Sequence, residues 1–202
     1  MCSIFGSDDK AKFFQLAKLN SYRGAHSHSI TVLKADNIIF MHKGSGPLMA
    51  VDLPEGDLYI GHQQAPTTDV KDDTSIHPAS IDVAHLWHNG IIKSHVMKEW
   101  QLKYRQDWSW DTKWLLYHLI NHTEDLDNID GSFACLFYNS GRLELFRNDN
   151  CPMYIDGISF SSTKFEDSVA IDSGTIYNYQ DFSWHKTTNT FKTKNSFFWT
   201  AE

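Results

Sequence analysis

The chain has 202 residues and carries 18 Lys and Arg against 25 Asp and Glu, a formal charge of −7. That length suits one domain with a real core, or at most two small ones, and the acidic balance excludes the basic face that nucleic-acid binding needs. No apolar run approaches the ~20 residues of a membrane span, no basic-then-apolar leader opens the chain, and Cys2, Cys135 and Cys151 lack the spacing of a disulfide framework. A reducing, cytoplasmic setting fits best. With no repeat and no linker-like stretch, residues 1–202 read as a single domain.

Taken in order, Cys2–Gly6 reads as a short strand stopped by glycine. Residues 8–20 follow as an amphipathic helix, with Phe13, Leu16 and Ala17 at i, i+3, i+4 spacing. Ser29–Leu33 and Ile38–His42 look like paired strands around the polar break at Lys34–Asn37, and Asp57–His62 and Ile81–Trp87 are further strand-like runs. Asp111–Asn121 is the clearest helix: Asp111 is placed as its cap, and Leu115/Leu119 with Leu116/Ile120 make i, i+4 pairs. Then come short strands at Ser132–Tyr138, Leu143–Phe146, Met153–Ile155, Ile158–Ser161 and Val169–Ile171, separated by Asn-Ser-Gly or Asp-Gly turns. Helices early and in the middle with strands on either side predict a layered α+β domain. Tyr177–Glu202 is aromatic and Thr-rich without periodicity, and no element is assigned to it.

Cys2 stands directly behind Met1. Removing Met1 leaves a thiol and a free α-amine on one residue, with pKa values near ~8.5 and ~7.7–8.0. The amine can then take the thiol proton, directly or through one water. Position two alone does not establish this, since many chains carry a small residue there. Four blocks farther along bear on it: Tyr22-Arg23-Gly24, Gly61-His62-Gln63-Gln64-Ala65-Pro66-Thr67, His88-Asn89-Gly90-Ile91-Ile92, and Arg147-Asn148-Asp149 with Cys151-Pro152-Met153-Tyr154. Read alone, Asn89-Gly90 is equally a tight hairpin turn between apolar runs.

Met-Cys-x-Ile-Phe-Gly, Tyr-Arg-Gly, Gly-His, His-Asn-Gly-Ile-Ile, Gly-Ser-Phe-Ala and Arg-x-Asp-x-x-Pro-x-Tyr, in that order, resemble the class II glutamine amidotransferase domain, and most of all the glucosamine-6-phosphate synthase type. The matches run from Cys2 to about Lys164. The resemblance implies a four-layer αββα sandwich, an N-terminal cysteine nucleophile at Cys2, and an oxyanion hole made by the Asn89 side chain and the Gly90 N–H. It also implies that Asp111 receives the substrate's α-amino group, against the alternative that it only caps its helix. Arg23 would order the loop beside Cys2, and Arg147 with Asp149 would be scaffold. His77-Pro78 matches a flap in the sugar-phosphate branch, although His77 reads equally as an idle loop histidine. Thr67 keeps the small hydroxyl that ends the Gly-His segment.

The family has an arginine for the substrate's α-carboxylate where this chain has Gln64, which lacks both the charge and the bidentate fork. Losing a charge-assisted pair costs about 1.5–3 kcal/mol, so substrate grip is where this sequence departs most. Ser3 and His26 are smaller departures. His26-x-His28 reads as a plain strand pair, since neither a cysteine pair nor a Glu-x-x-His accompanies it and the family needs no metal or cofactor. The tryptophans between Trp100 and Trp114 read as packing. The expected function is hydrolysis of the glutamine side-chain amide, with ammonia passing to a separate acceptor enzyme. The alternatives are an amidase for a γ-glutamyl or other small amide, and a non-catalytic binding module on the same fold.

Overall fold

A computed structural model describes residues 2–65, 75–121 and 126–194. Among them, in chain order, the strands are β1 (Ser3–Ser7), β2 (Ser27–Lys34), β3 (Asn37–Ser45), β4 (Leu58–Gln64), β5 (Ala79–Ile81), β6 (Ala84–Ile92), β7 (Gly131–Asn139), β8 (Arg142–Arg147), β9 (Tyr154–Asp156), β10 (Ser159–Ser161), β11 (Val169–Ala170), β12 (Thr175–Gln180) and β13 (Ser183–Thr190). The helices are α1 (Lys10–Asn20), α2 (Ser94–Tyr104) and α3 (Asp111–Asn121), with a 3-10 turn at Ser21–Arg23.

Two sheets stack on each other. One runs β11-β9-β10-β1-β4-β2-β3, the other β13-β12-β8-β7-β6-β5. Every pairing among the described residues is antiparallel. Strand alternation splits the side chains into layers. Ile4, Ile60, Trp87, Ala134 and Leu136 meet between the sheets. Their neighbours Phe5 and Tyr59 face outward onto Phe13, Leu16 and Ala17 of α1, and Phe133, Cys135 and Phe137 face outward onto Trp100, Trp114 and Leu115 of α2 and α3. The order helix, sheet, sheet, helix is the expected αββα sandwich.

Helix α1 starts where Asp9 Oδ1 accepts the Lys12 N–H at 2.6 Å, an aspartate N-cap. Burying Phe13 and Leu16 beneath it stabilises the first layer by roughly 1.5–3 kcal/mol each. Helix α3 spans the predicted residues, but Asp111 is its first helical residue rather than a cap standing before it. One predicted strand is divided. The run expected over Ile81–Trp87 turns at Asp82, whose φ is +50°, and becomes the hairpin β5–β6.

Strand β6 then runs unbroken to Ile92, in register with β7 from Ala84↔Asn139 to Ile92↔Gly131. Asn89-Gly90 therefore lies within a paired strand, and the hairpin-turn alternative is overturned. Sequence reasoning gave no element over Ser94–Tyr104 or Ser183–Thr190, where α2 and β13 form.

Candidate active site

Cys2 enters the fold at the start of β1, whose neighbour β4 pairs Ser3 with Gln63. The two-residue alternation that sends Ile4 between the sheets does the same for Cys2, which is buried with its thiol 3.5 Å from the Ala65 carbonyl. Burial is the first cause that pushes this thiol up to about 11; Asp111 adds to it, while the Ala65 contact and Arg23 work the other way. In the chain that carries Met1, the Cys2 nitrogen is an amide and offers no base. Arg23 is buried and its Nε donates to the Cys2 carbonyl at 3.0 Å, which fixes the backbone at Cys2.

The other sheet supplies β6. Trp87 packs between the sheets, so Asn89 faces the same interior. Its Nδ2 is buried and makes no hydrogen bond among the described residues, an unusual condition for a side-chain donor. At Gly90 the φ of +151° lies where side chains are rarely found, and an added Cβ would run into the Ser132 carbonyl of β7. Glycine is thus required here by both the backbone path and the close approach of β7.

Asp111 sits behind this strand. Its Oδ2 accepts the Ile92 N–H at 3.1 Å and its Oδ1 the Thr112 N–H at 2.7 Å. One carboxylate ties β6 to the start of α3, and each oxygen keeps lone-pair capacity.

Gln64 is committed to the protein around it. Its Nε2 donates to the Ser75 carbonyl at 3.1 Å, and its Oε1 accepts from the Ser27 hydroxyl at 3.2 Å. His77 Nδ1 lies 3.2 Å from the same oxygen, and His77 Nε2 lies 3.1 Å from Thr112 Oγ1. Thr112 Oγ1 is also 3.1 Å from His88 Nδ1. Burial pushes His62 down to about 3, His77 well below its ordinary value and His88 down as well, so all three are neutral near pH 7. The Gln64 oxygen can only accept, so a neutral His77 donates to it from Nδ1 and keeps Nε2 as an acceptor toward the Thr112 hydroxyl, while His88 Nε2 lies 3.4 Å from the Ser132 carbonyl. His62 stacks on His77 with 3.9 Å between ring centroids and donates from Nε2 to the His88 carbonyl at 3.2 Å.

Cys2, Gln64, His77, Gly90, Asp111 and Trp110 all border one cavity of about 20 Å³. That is room for about one water, not for an amino acid. Larger hollows exist elsewhere on the molecule, one of about 640 Å³ at the far hairpin ends near Asp36 and Phe182. None of the expected site residues lines that hollow. Thr67 lies outside the described residues. The sequence reading did not single out Thr112, His88, His62, Ser75 or Trp110. His88 and His62 sat inside quoted blocks and Thr112 directly follows Asp111, so their signal was a histidine or threonine close to an expected site residue. Away from the site, Arg147 Nε donates to the Ile171 carbonyl at 2.8 Å and Asp149 accepts from Ser173, which joins β8 to the loop after β11.

No family model matches the sequence, and no curated protein matches it by sequence. Among solved structures, glutamine phosphoribosylpyrophosphate amidotransferase from B. subtilis superposes with a TM-score of 0.67 at 17% identity, over 94% of this chain and 50% of its own. An allosteric regulatory enzyme of purine biosynthesis gives 0.68 at 17%, over 92% and 48%. This chain has the fold of a class II glutamine amidotransferase domain. A glutamine aminotransferase class-II domain protein from Silicibacter pomeroyi gives 0.51 at 10% identity, over 95% of this chain and 99% of its own. The chain spans about half the length of the first two enzymes, so the likeness concerns that half of each alone. No helix among the described residues is long and apolar enough to cross a membrane.

Proposed function

We propose that residues 1–202 form one amide-hydrolysing domain that releases ammonia from the side chain of glutamine, with Cys2 as nucleophile once Met1 is removed. The α-amine of Cys2 accepts the thiol proton as sulfur attacks the amide carbon. The Asn89 Nδ2–H and Gly90 N–H receive the developing oxyanion. The amine then returns the proton to the leaving nitrogen, ammonia departs, and water clears the glutamyl thioester. Asp111 takes the substrate's α-amino group, with Gln64 and Thr67 at the carboxylate end and His77 and Arg23 holding the surrounding walls. The ammonia passes to a separate acceptor enzyme in a reducing cytoplasm, where the thiol of Cys2 stays free.

One observation carries this reading most: the buried Asn89 Nδ2, without a hydrogen-bond partner among the described residues, on a strand facing the same interior as Cys2 though outside the lining of the Cys2 cavity. The test is ammonia release from glutamine by chains whose Met1 removal is verified by intact mass, with Cys2→Ala as control. Processed chains without Cys2-dependent ammonia release would defeat it.

A second reading, an amidase whose substrate lacks a free α-carboxylate, is favoured by Gln64. Its amide nitrogen is spent on Ser75, and Asp111 is the one charged side chain among the described cavity residues. Comparing glutamine with its α-methyl ester separates the two, since faster turnover of the ester selects the amidase. Processed chains inert toward both amides would select the non-catalytic binding module.

A further inference from the structure

Residues Ser75–Pro78 form one wall of the Cys2 cavity, through Ser75 and His77. Three of the four carbonyls in this segment are held from outside it. Gln64 holds that of Ser75 at 3.1 Å. Lys43 Nζ donates to the other two, Ile76 at 2.8 Å and Pro78 at 2.6 Å, the residues on either side of His77. Lys43 belongs to β3, the outermost strand of its sheet, where it pairs with Ser29. It does not border the cavity. An ammonium straddling His77 in this way fixes the backbone on both sides of the ring. The ring can then stack on His62 at 3.9 Å, meet Trp110 edge-on at 5.0 Å and reach Thr112 and Gln64 at once. Lysine suits this task because it offers three rotatable donors on a long stem to two diverging acceptors.

We propose that Lys43 is a positioning residue for the Cys2 site, seating His77 against the cavity and thereby setting access to the Cys2 thiol. This rests on Cys2 being the reactive group of the proposed function, but not on glutamine being its substrate. In the seated arrangement the cavity admits about one water, so movement of Ser75–Pro78 opens the thiol to reagents larger than water. Removing Lys43 leaves Ile76 and Pro78 without these donors and shifts the balance toward the moved arrangement.

The experiment measures carbamidomethylation of Cys2 by iodoacetamide, located by peptide mass, in the full chain and in Lys43→Met and Lys43→Arg. Losing two charge-assisted bonds is expected to speed labelling about tenfold or more in Lys43→Met, while Lys43→Arg, which keeps the donors, stays near the parent rate. Melting temperature serves as the structural control and is expected to change little, since β3 keeps its pairing with β2. If Lys43→Met does not fold, Lys43→Gln read by hydrogen exchange of residues 75–81 takes its place, with faster exchange expected. A labelling or exchange rate equal to the parent's overturns the proposal, as does an arginine variant that behaves like the methionine one. Labelling that depends on Lys43 in a chain that releases no ammonia although its Met1 is verified as removed would fell the glutaminase reading and leave this one standing.

Discussion

Asn89 pairs burial with an unused donor: its Nδ2 is enclosed and has no hydrogen-bond partner among the described residues. An unsatisfied buried group costs about 1–3 kcal/mol, so its removal and its function pull in opposite directions. Asn89→Ala is expected to lower kcat by about 10²–10³-fold with little change in KM, while the urea midpoint stays level or rises. A fall in both stability and activity would mean that the side chain is structural. Cys2 yields a second expectation. With Met1 attached, burial holds the thiol at about 11, well above its ordinary value, and no amine assists it. Alkylation of Met1-bearing chains should therefore keep climbing with pH well past 9. Amide hydrolysis by processed chains should rise through about 7.7–8.0, where an α-amine loses its proton. A processed enzyme whose activity climbs only near 11 would dismiss the amine as base.

Strand β7 holds β6 in place, and its near end is pinned by one side chain. Asn148 Nδ2 donates to the Gly131 carbonyl at 2.9 Å, and its Oδ1 accepts the Phe133 N–H at 3.1 Å, in a buried setting. Asn148→Ala leaves both backbone groups unpaired and is expected to cost about 2–4 kcal/mol of unfolding free energy in urea titration. A cost under about 0.5 kcal/mol would show that water replaces the amide there. Much of this element-level structure was legible in the sequence. Phe13, Leu16 and Ala17 announced α1, and the paired leucines announced α3. Helix α2 was not: Val96, Met97, Trp100 and Tyr104 do line one face at i, i+1, i+4 and i+8 spacing, but Leu102, 83% exposed, falls off that face and blurs the stripe. Strand β13 escaped for a related reason: as an outer strand exposed along much of its length, it alternates little. The turn at Asp82 was hidden because an aspartate in the left-handed region leaves no glycine or proline to read.

Across the whole molecule, buried neutral histidines set the acid limit. His62, His77 and His88 are all held below their ordinary value of 6.5, by burial first. An unfolded chain takes up these protons on acidification and the folded chain does not, so stability present above about pH 6.5 is lost as pH falls. Each histidine contributes a slope of at most about 1.4 kcal/mol per pH unit. Urea midpoints should hold steady from pH 8 to 7 and fall steeply between about 6.5 and 5. A flat profile there would mean that one or more rings is already protonated in the fold. The sequence blocks named Cys2, Asn89, Gly90 and Asp111 individually. How Gln64, His77, Thr112 and His88 join was beyond them, because that network links β4, the segment before β5, β6 and α3 through contacts without local periodicity. The thiol comes from one sheet and the amide donor from the other, with Trp87, Ile4 and Leu136 between them. In the proposed mechanism, turnover therefore reports whether the two sheets are docked, to within the ångström or so that reacting groups tolerate. Under gentle denaturation the reaction should fade while the far-ultraviolet circular dichroism of each sheet persists, making catalysis the more sensitive gauge of the sandwich interior.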